Sequence, residues 1–241
     1  MTHKPTAPGT LHLLPSLLGG EAIADALPRG TLEIIATLDY FIAENEKSAR
    51  HFLKLAGHPR PLRELRIARF DKDGNAEEAR RLLQPVTAGT SAGVLSEAGC
   101  PGIADPGALL VAAAHASGIR VVPHVGPSAL LLALMVSGFN GQRFAFHGYL
   151  PVPQAECRAA ITALERESRA RDQTQIFIET PYRNDALLET LLAVCDGATR
   201  LCVARDLTLP TESVRSATIA EWKKNHLLPD KRSSVFLLYA R

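Results

Sequence analysis

The chain has 241 residues, enough for one large or two small domains, and 46% of them are hydrophobic, enough to bury a sizeable core. A net charge of +2 excludes a wholesale nucleic-acid or membrane-surface footprint. The four cysteines (Cys100, Cys157, Cys195, Cys202) form no C-x-x-C pair, and the eight histidines show no metal spacing, so free thiols, a reducing compartment and no metal are expected.

The opening, MTHKPTAPGT, has no apolar run behind a basic start, so no secretory signal is expected. The longest apolar run, Ala129 to Val136, is far too short to span a bilayer. A soluble cytoplasmic protein without membrane attachment follows. Thr10 to Leu14 reads as a first strand that enters the turn Pro15 to Gly20. Tyr40 to Ala43 reads as a second, buried strand ending in Glu44-Asn45-Glu46-Lys47. A carboxylate at a strand end can act as a general base or cap the next helix, and Glu44 fits both roles. From Glu46 to Arg69 seven Lys or Arg stand against two acids, Glu46 and Glu64, with Arg60, Arg63, Arg66 and Arg69 at every third position. Both a phosphate-contacting strip and a solvated basic face fit that pattern. Asn75 caps a helix over Ala76 to Leu83, with Glu77 and Glu78 suited to its first turn. Pro85 to Ser91 then leads into a third strand, Gly93 to Leu95.

Val94 to Gly138 contains the same event twice: an apolar run, a Gly/Pro turn, then a helix. The first loop is Ser96 to Asp105, with Asp105 capping a helix from about Pro106 and Gly118 closing it. The second is Pro123 to Pro127, with a helix from Ser128 to Ser137 whose first N–H groups are free for a ligand. Such pairs place a ligand at the carboxyl ends of parallel strands.

The strings SEAGCPGIADPG and VVPHVGPSA resemble the ligand loops of the tetrapyrrole methylases, which use S-adenosylmethionine (SAM). The nearest branch methylates a ribose 2′-hydroxyl of small-subunit ribosomal RNA and has S-D-A-G-T-P-x-I-x-D-P-G and P-G-P-x-A. Here Glu97 stands for the Asp, Cys100 for the Thr, and Val125 precedes Gly126-Pro127. Pro15 and Gly19 match P-x-P-I-G-N-L, with Leu17 and Gly20 departing from it. Glu44 matches A-E-D-T-R, where Asn45 and Glu46 replace Asp and Thr. Phe144 to Pro151 resembles F-x-x-x-G-F-L-P, Glu179 and Arg183 match E-S-x-x-R, and Ala204 to Thr208 matches A-R-E-L-T with Asp206 for Glu. Ser233-Ser234 stand where the branch has K-G-E.

Between and after these motifs the chain reads as a charged helix over Glu156 to Arg171, a strand over Thr174 to Glu179 and a helix from Thr180 to Cys195. Leu201 to Thr208 follows as a strand, Thr218 to Asn225 as a helix anchored by Trp222, and Val235 to Tyr239 as a last strand. The likeness spans Thr10 to the C-terminus. It implies an α/β protein of the tetrapyrrole methylase fold with two α/β domains, about 1–150 and 151–241, SAM in the cleft between them, and a homodimer. Ser16, Glu97, Gly99, Cys100, Ile103, Ala104, Ser128 and Ala129 are the implied cofactor contacts, with Glu179, Asp206 and Ser234 from the second domain. Glu44 is the candidate catalytic base. The acceptor readings are a ribose of ribosomal RNA in the small subunit, a small molecule such as a tetrapyrrole, or none, in a non-catalytic SAM- or RNA-binding protein.

Overall fold

In the computed structural model residues 7–225 and 231–241 are described, so the segment MTHKPT, on which the absence of a signal was read, lies outside them. The chain divides into two compact units, Met1–Ser128 and Ala129–Arg241.

In the first unit β1 (Thr10–Leu14), β2 (Tyr40–Ala43), β3 (Arg66–Arg69), β4 (Ala92–Leu95) and β5 (Arg120–Pro123) form a parallel sheet in the order β3-β2-β4-β1-β5. Parallel strands are covered on both faces, which is why β2 and β4 read as continuous apolar runs, YFIA and AGVL. Alternation sends Tyr40 and Ile42 toward α4 (Ala76–Thr87) and α5 (Gly107–Ala116), where they pack with Leu83 and Leu110. Phe41 and Ala43 point the other way, into a core with Ile35 of α2 (Arg29–Ile35) and Phe52 of α3 (Glu46–Leu55); α1 (Ile23–Ala26) precedes these. Gly93 lets that layer close, because a Cβ there would lie 2.5 Å from Leu14 Cδ1 and 3.0 Å from Phe41 Cδ1.

Two readings of this unit change. Part of the basic stretch is an edge strand, β3, so the expected third strand is the fourth. The helix expected to stop before Pro85 runs through it to Thr87. Buried Leu82, Leu83 and Val86 on one face hold the final turn despite the missing N–H.

The second unit opens with α6 (Ala129–Ser137), followed by β6 (Phe144–Tyr149), α7 (Gln154–Arg171), β7 (Thr174–Glu179), α8 (Asn184–Val194), β8 (Arg200–Arg205), β9 (Ser213–Thr218), α9 (Ile219–Lys224) and β10 (Ser234–Tyr239). The sheet order is β6-β7-β10-β8-β9, with β6 parallel to β7 and the other pairs antiparallel. One face packs on α7, α8 and α9 through Phe177, Phe236, Leu164, Leu188 and Trp222. Trp222 is the anchor expected of it, buried and donating Nε1–H to the Leu201 carbonyl at 2.9 Å. Residues 129–150 fall in this unit, against the boundary read at residue 150, because Phe144 to Phe146 pair with Thr174 to Ile176. The strand read as Leu201 to Thr208 stops at Arg205, since Asp206 (φ 48°) and Thr208 (φ 73°) turn the chain through the left-handed region. Strand β9 was not read, and α9 begins at Ile219 behind a capping box of Thr218 and Glu221.

Candidate active site

Five parallel strands present their carboxyl ends on one side of the first sheet. The chain leaves β2 toward β3 and leaves β4 toward β5, on opposite sides, so the β2–β4 seam is the switch point where such sheets open a crevice. The loop after β1 is fastened to the loop after β4. Ser16 N–H donates to Gly99 O at 2.8 Å, and Gly99 N–H donates back to Ser16 O at 3.3 Å. The hydroxyl of Ser16 donates to Ser96 O at 2.8 Å, and that of Ser96 to Gly99 O at 2.7 Å. Cys100 extends the fastening, its thiol donating to Pro127 O at 3.4 Å in the loop after β5. Burial, with Asp105 nearby, pushes that thiol above the usual cysteine range, which fits a packing role.

Asp105 shapes the rest of the loop. Its Oδ1 accepts from Gly102 N–H at 2.6 Å and from Gly107 N–H at 2.8 Å, so it holds the turn and the start of α5 together. Burial raises its pKa, and these two amides oppose the rise. Ala104 sits at φ 60°, a conformation unfavourable for a residue with a Cβ. Ile103 is half exposed at the loop tip. Ser128 and Ala129 lie at the start of α6, as read.

A cavity of about 460 Å³ lies against these loops, bordered by Ser16, Gly19, Asn45, Ser48, Ser96 and Glu97. That volume lies within the range of small-ligand sites, about 300–1,000 Å³. Glu97 is held at its edge by Ser48, whose hydroxyl donates to Oε2 at 3.2 Å. Ser16 and Glu97 are the implied cofactor contacts that line the cavity; Gly99, Cys100, Ile103 and Ala104 lie further along the loop. Glu44 does not line it. Strand alternation turns Glu44 to the other face of the seam, where it shares a narrow recess with Ser96 and Asp105. Burial first, then Glu97, Asp105 and Asp71, hold its pKa above the usual carboxylate value. Glu44 is not the cap of α3. That role belongs to Asn45, whose Oδ1 accepts from Lys47 N–H at 2.9 Å and Ser48 N–H at 3.4 Å.

The arginines of the basic stretch each have a partner. Arg60 meets Asp39 at 2.9 Å, Arg63 meets Glu64 at 4.0 Å, Arg69 meets Asp71, and Arg66 lies over the Tyr40 ring at 4.5 Å.

In the second unit Glu179, Ser234, Arg205 and Ser213 stand in one row across the sheet, at one end of β7, β10, β8 and β9. Glu179 is buried; Oε1 accepts from Thr180 N–H at 2.7 Å and Oε2 lies 3.0 Å from Arg183 Nη2 without hydrogen-bond geometry. Asn184, missed in the sequence, donates to Ser234 Oγ at 3.1 Å and Arg232 O at 2.7 Å while its buried Oδ1 has no hydrogen-bond partner. Asp206 accepts from Thr211 at 2.8 Å and pairs with Arg232 at 3.4 Å. Asn184, Ser234, Arg232 and Asp206 are thus one connected polar cluster, with Glu179 beside Ser234 in the sheet. No spacing pattern marks Asn184, which lies 50 residues from Ser234 in the chain.

The family model of tetrapyrrole (corrin/porphyrin) methylases matches residues 23–223. The chain belongs to the tetrapyrrole methylase family. This methylase is 40% identical to the ribosomal RNA small subunit methyltransferase I of Xylella fastidiosa strain Temecula1 over 89% of its own length and 74% of that protein. The same-named protein of Pseudomonas aeruginosa is 35% identical over 88% and 71%. Among solved structures, the methyltransferase CobJ superposes with a TM-score of 0.62 at 18% identity, covering 97% of this chain and 100% of that one. Uroporphyrin-III C-methyltransferase from Thermus thermophilus, complexed with S-adenyl homocysteine, gives 0.52 at 16% identity, covering 96% and 97%. The fold is therefore the tetrapyrrole methylase fold, and the chain is a methyltransferase with SAM as its methyl donor.

The residues present fit that donor. Backbone groups of a fastened loop surround Gly99, whose φ of 71° suits glycine. Glu97 gives the cavity edge a carboxylate, the charge that suits a cationic ligand. Among the described residues no helix is long and apolar enough to cross a membrane.

Proposed function

We propose that this methyltransferase modifies ribosomal RNA of the small ribosomal subunit at a ribose 2′-oxygen. The observation that carries the reading is the 40% identity, over most of both chains, to a protein named ribosomal RNA small subunit methyltransferase I. SAM supplies a methyl group already activated by its sulfonium. The chain then has to align donor and acceptor, a contribution of about 7–11 kcal/mol for well-placed groups. Ser16, Glu97, Gly99, Cys100, Ile103 and Ala104 are the proposed contacts on the fastened loops, with Ser128 and Ala129 at the start of α6. Glu179, Asp206 and Ser234 are the second unit's proposed contribution. Glu44 takes the proton lost by the ribose hydroxyl; its raised pKa brings it nearer to that of an effective base.

The enzyme acts in the cytoplasm as a homodimer. Exposed Leu131 and Met135, one turn apart on α6, support a self-association surface. The test is transfer of labelled methyl from SAM to small ribosomal subunits that lack the modification. Label in RNA supports the reading. SAM binding by calorimetry without label in RNA sends the acceptor to small molecules.

A further inference from the structure

The end of the second sheet opposite Glu179 and Ser234 carries a groove of about 750 Å³, bordered by Phe139, Asn140, Gln142, Arg200, Tyr239 and Arg241. The strands between the two ends are six residues long, a separation of roughly 17 Å. Its walls are arginines backed by aromatic rings. Arg200 lies over Phe139 at 4.7 Å from the ring centroid, Arg241 over Tyr239 at 5.5 Å, and the two rings stack at 5.5 Å. Arg241 is 82% exposed, and its Nε–H donates to Tyr239 Oη at 2.9 Å, so the guanidinium is oriented without being covered. Tyr239 in turn donates to Asp172 Oδ1 at 2.5 Å, and Asn140 Nδ2 donates to Asp172 O at 2.7 Å.

Three more arginines join this end. Arg143 donates to Arg171 O at 3.4 Å and Arg169 to Arg241 O at 3.3 Å, and all three are exposed. The carboxylates beside them are Asp172, Glu167, which pairs with Arg171 at 3.3 Å, and Asp196, which accepts from Ala198 N–H at 2.8 Å. Asp172 also lies 4.0 Å from Arg241 Nε, so two of the five arginines are paired, and the excess of arginine still makes a local cationic field in a chain whose net charge is only +2. A guanidinium seated on a ring presents a fixed fork of N–H donors, the arrangement that suits phosphate oxygens better than a mobile lysine does.

We propose that this groove binds the phosphodiester backbone of an RNA strand, as a second contact remote from the residues assigned to methyl transfer. The choice of RNA as the polyanion rests on the proposed substrate; the cationic groove itself does not. Arg200 and Arg241 contact phosphates, and Arg143, Arg169 and Arg171 extend the path along the edge. The contact contributes affinity and register for a long substrate and takes no part in chemistry.

The test uses the full chain and a fluorescent single-stranded RNA of mixed sequence, about 20 nucleotides long, followed by anisotropy. The wild type binds, and the Arg200→Gln/Arg241→Gln double variant binds roughly tenfold more weakly, with a slope of log affinity against log salt shallower by about 1.4. SAM affinity by calorimetry is unchanged, and Arg200→Lys alone keeps the wild-type salt slope while binding RNA more weakly than the wild type. Arg241→Gln alone gives a smaller loss and serves if the double variant unfolds. Equal affinity and salt slope in wild type and variants would overturn the groove, as would a wild type that does not bind RNA at low salt. If the wild type transfers no methyl to small subunits yet the variants still lose RNA binding, the proposed substrate fails and the groove stands.

Discussion

Ser16 and Gly99 form an isolated two-way bridge, amide to carbonyl in both directions, between loops far apart along the chain. It joins the ends of neighbouring strands β1 and β4 and fixes the floor of the crevice before any ligand arrives. Gly99 pairs at φ 71°, and a Cβ there would stand 3.3 Å from Leu18 Cδ2 and 3.5 Å from Pro127 O. Gly99→Ala is expected to cost about 1–2 kcal/mol from the left-handed backbone alone. A lowered thermal midpoint and weakened SAM binding by calorimetry are the readouts; unchanged SAM affinity would remove the loop from the cofactor site.

Asn45 departs from the family's Asp, yet it caps α3 through Lys47 and Ser48. Asn and Asp are nearly equal as caps, so Asn45→Asp should keep kcat within about twofold, while Asn45→Ala should lose about 1 kcal/mol of stability. Denaturant melts and initial rates separate the two. A large gain in rate for Asn45→Asp would show that the position does chemistry.

Glu44 carries a raised pKa in the folded state. Folding then favours its protonated form, so this stabilising contribution is present below the unfolded pKa and is lost as pH rises through the folded one. Glu44→Gln should therefore leave the protein at least as stable at pH 7 as the wild type. With Glu44 as the proposed base, methyl transfer needs its ionised form, so the acid limb of the wild-type rate profile should lie above the ordinary carboxylate pKa. Glu44→Gln should lower kcat by about 100-fold or more, with SAM affinity preserved. Glu97→Gln, in contrast, should raise the SAM dissociation constant.

The Cys100 thiol is raised by burial and donates to Pro127. It should alkylate slowly at neutral pH, as measured by mass spectrometry of the intact protein. Cys100→Ser can keep the donated bond and is expected to retain most activity; complete loss would indicate a chemical role for the sulfur.

Strand positions were largely legible because buried parallel strands such as YFIA and AGVL are written as uninterrupted apolar runs. The loop motifs were legible because Asp105, Gly99 and Gly118 each meet a local backbone demand. The domain boundary was not, because the proline-rich stretch after Tyr149 looks like a linker, whereas β6 is claimed by non-local pairing with β7. The end of β8 was misplaced for a related reason. Asp206 and Thr208 have no glycine to announce a positive φ, and the turn is held by contacts of Asp206 with Thr211 and Arg232 and of Thr208 N–H with Glu212. The bond from Asn184 Nδ2 at the start of α8 to Ser234 Oγ in β10 joins distant segments, which no spacing rule encodes. The aromatic-backed arginines were missed because Phe139, Arg200 and Tyr239 come from three separate segments.

We propose that this methylase modifies a ribose of small-subunit RNA with Glu44 as base. The most direct measurement is nucleoside mass spectrometry of small-subunit RNA after incubation with SAM bearing a labelled methyl and either wild type or Glu44→Gln. A labelled 2′-O-methylnucleoside is expected with wild type and its near absence with the variant at equal SAM binding. Label on a base, or no label in RNA while SAM binds, would contradict it.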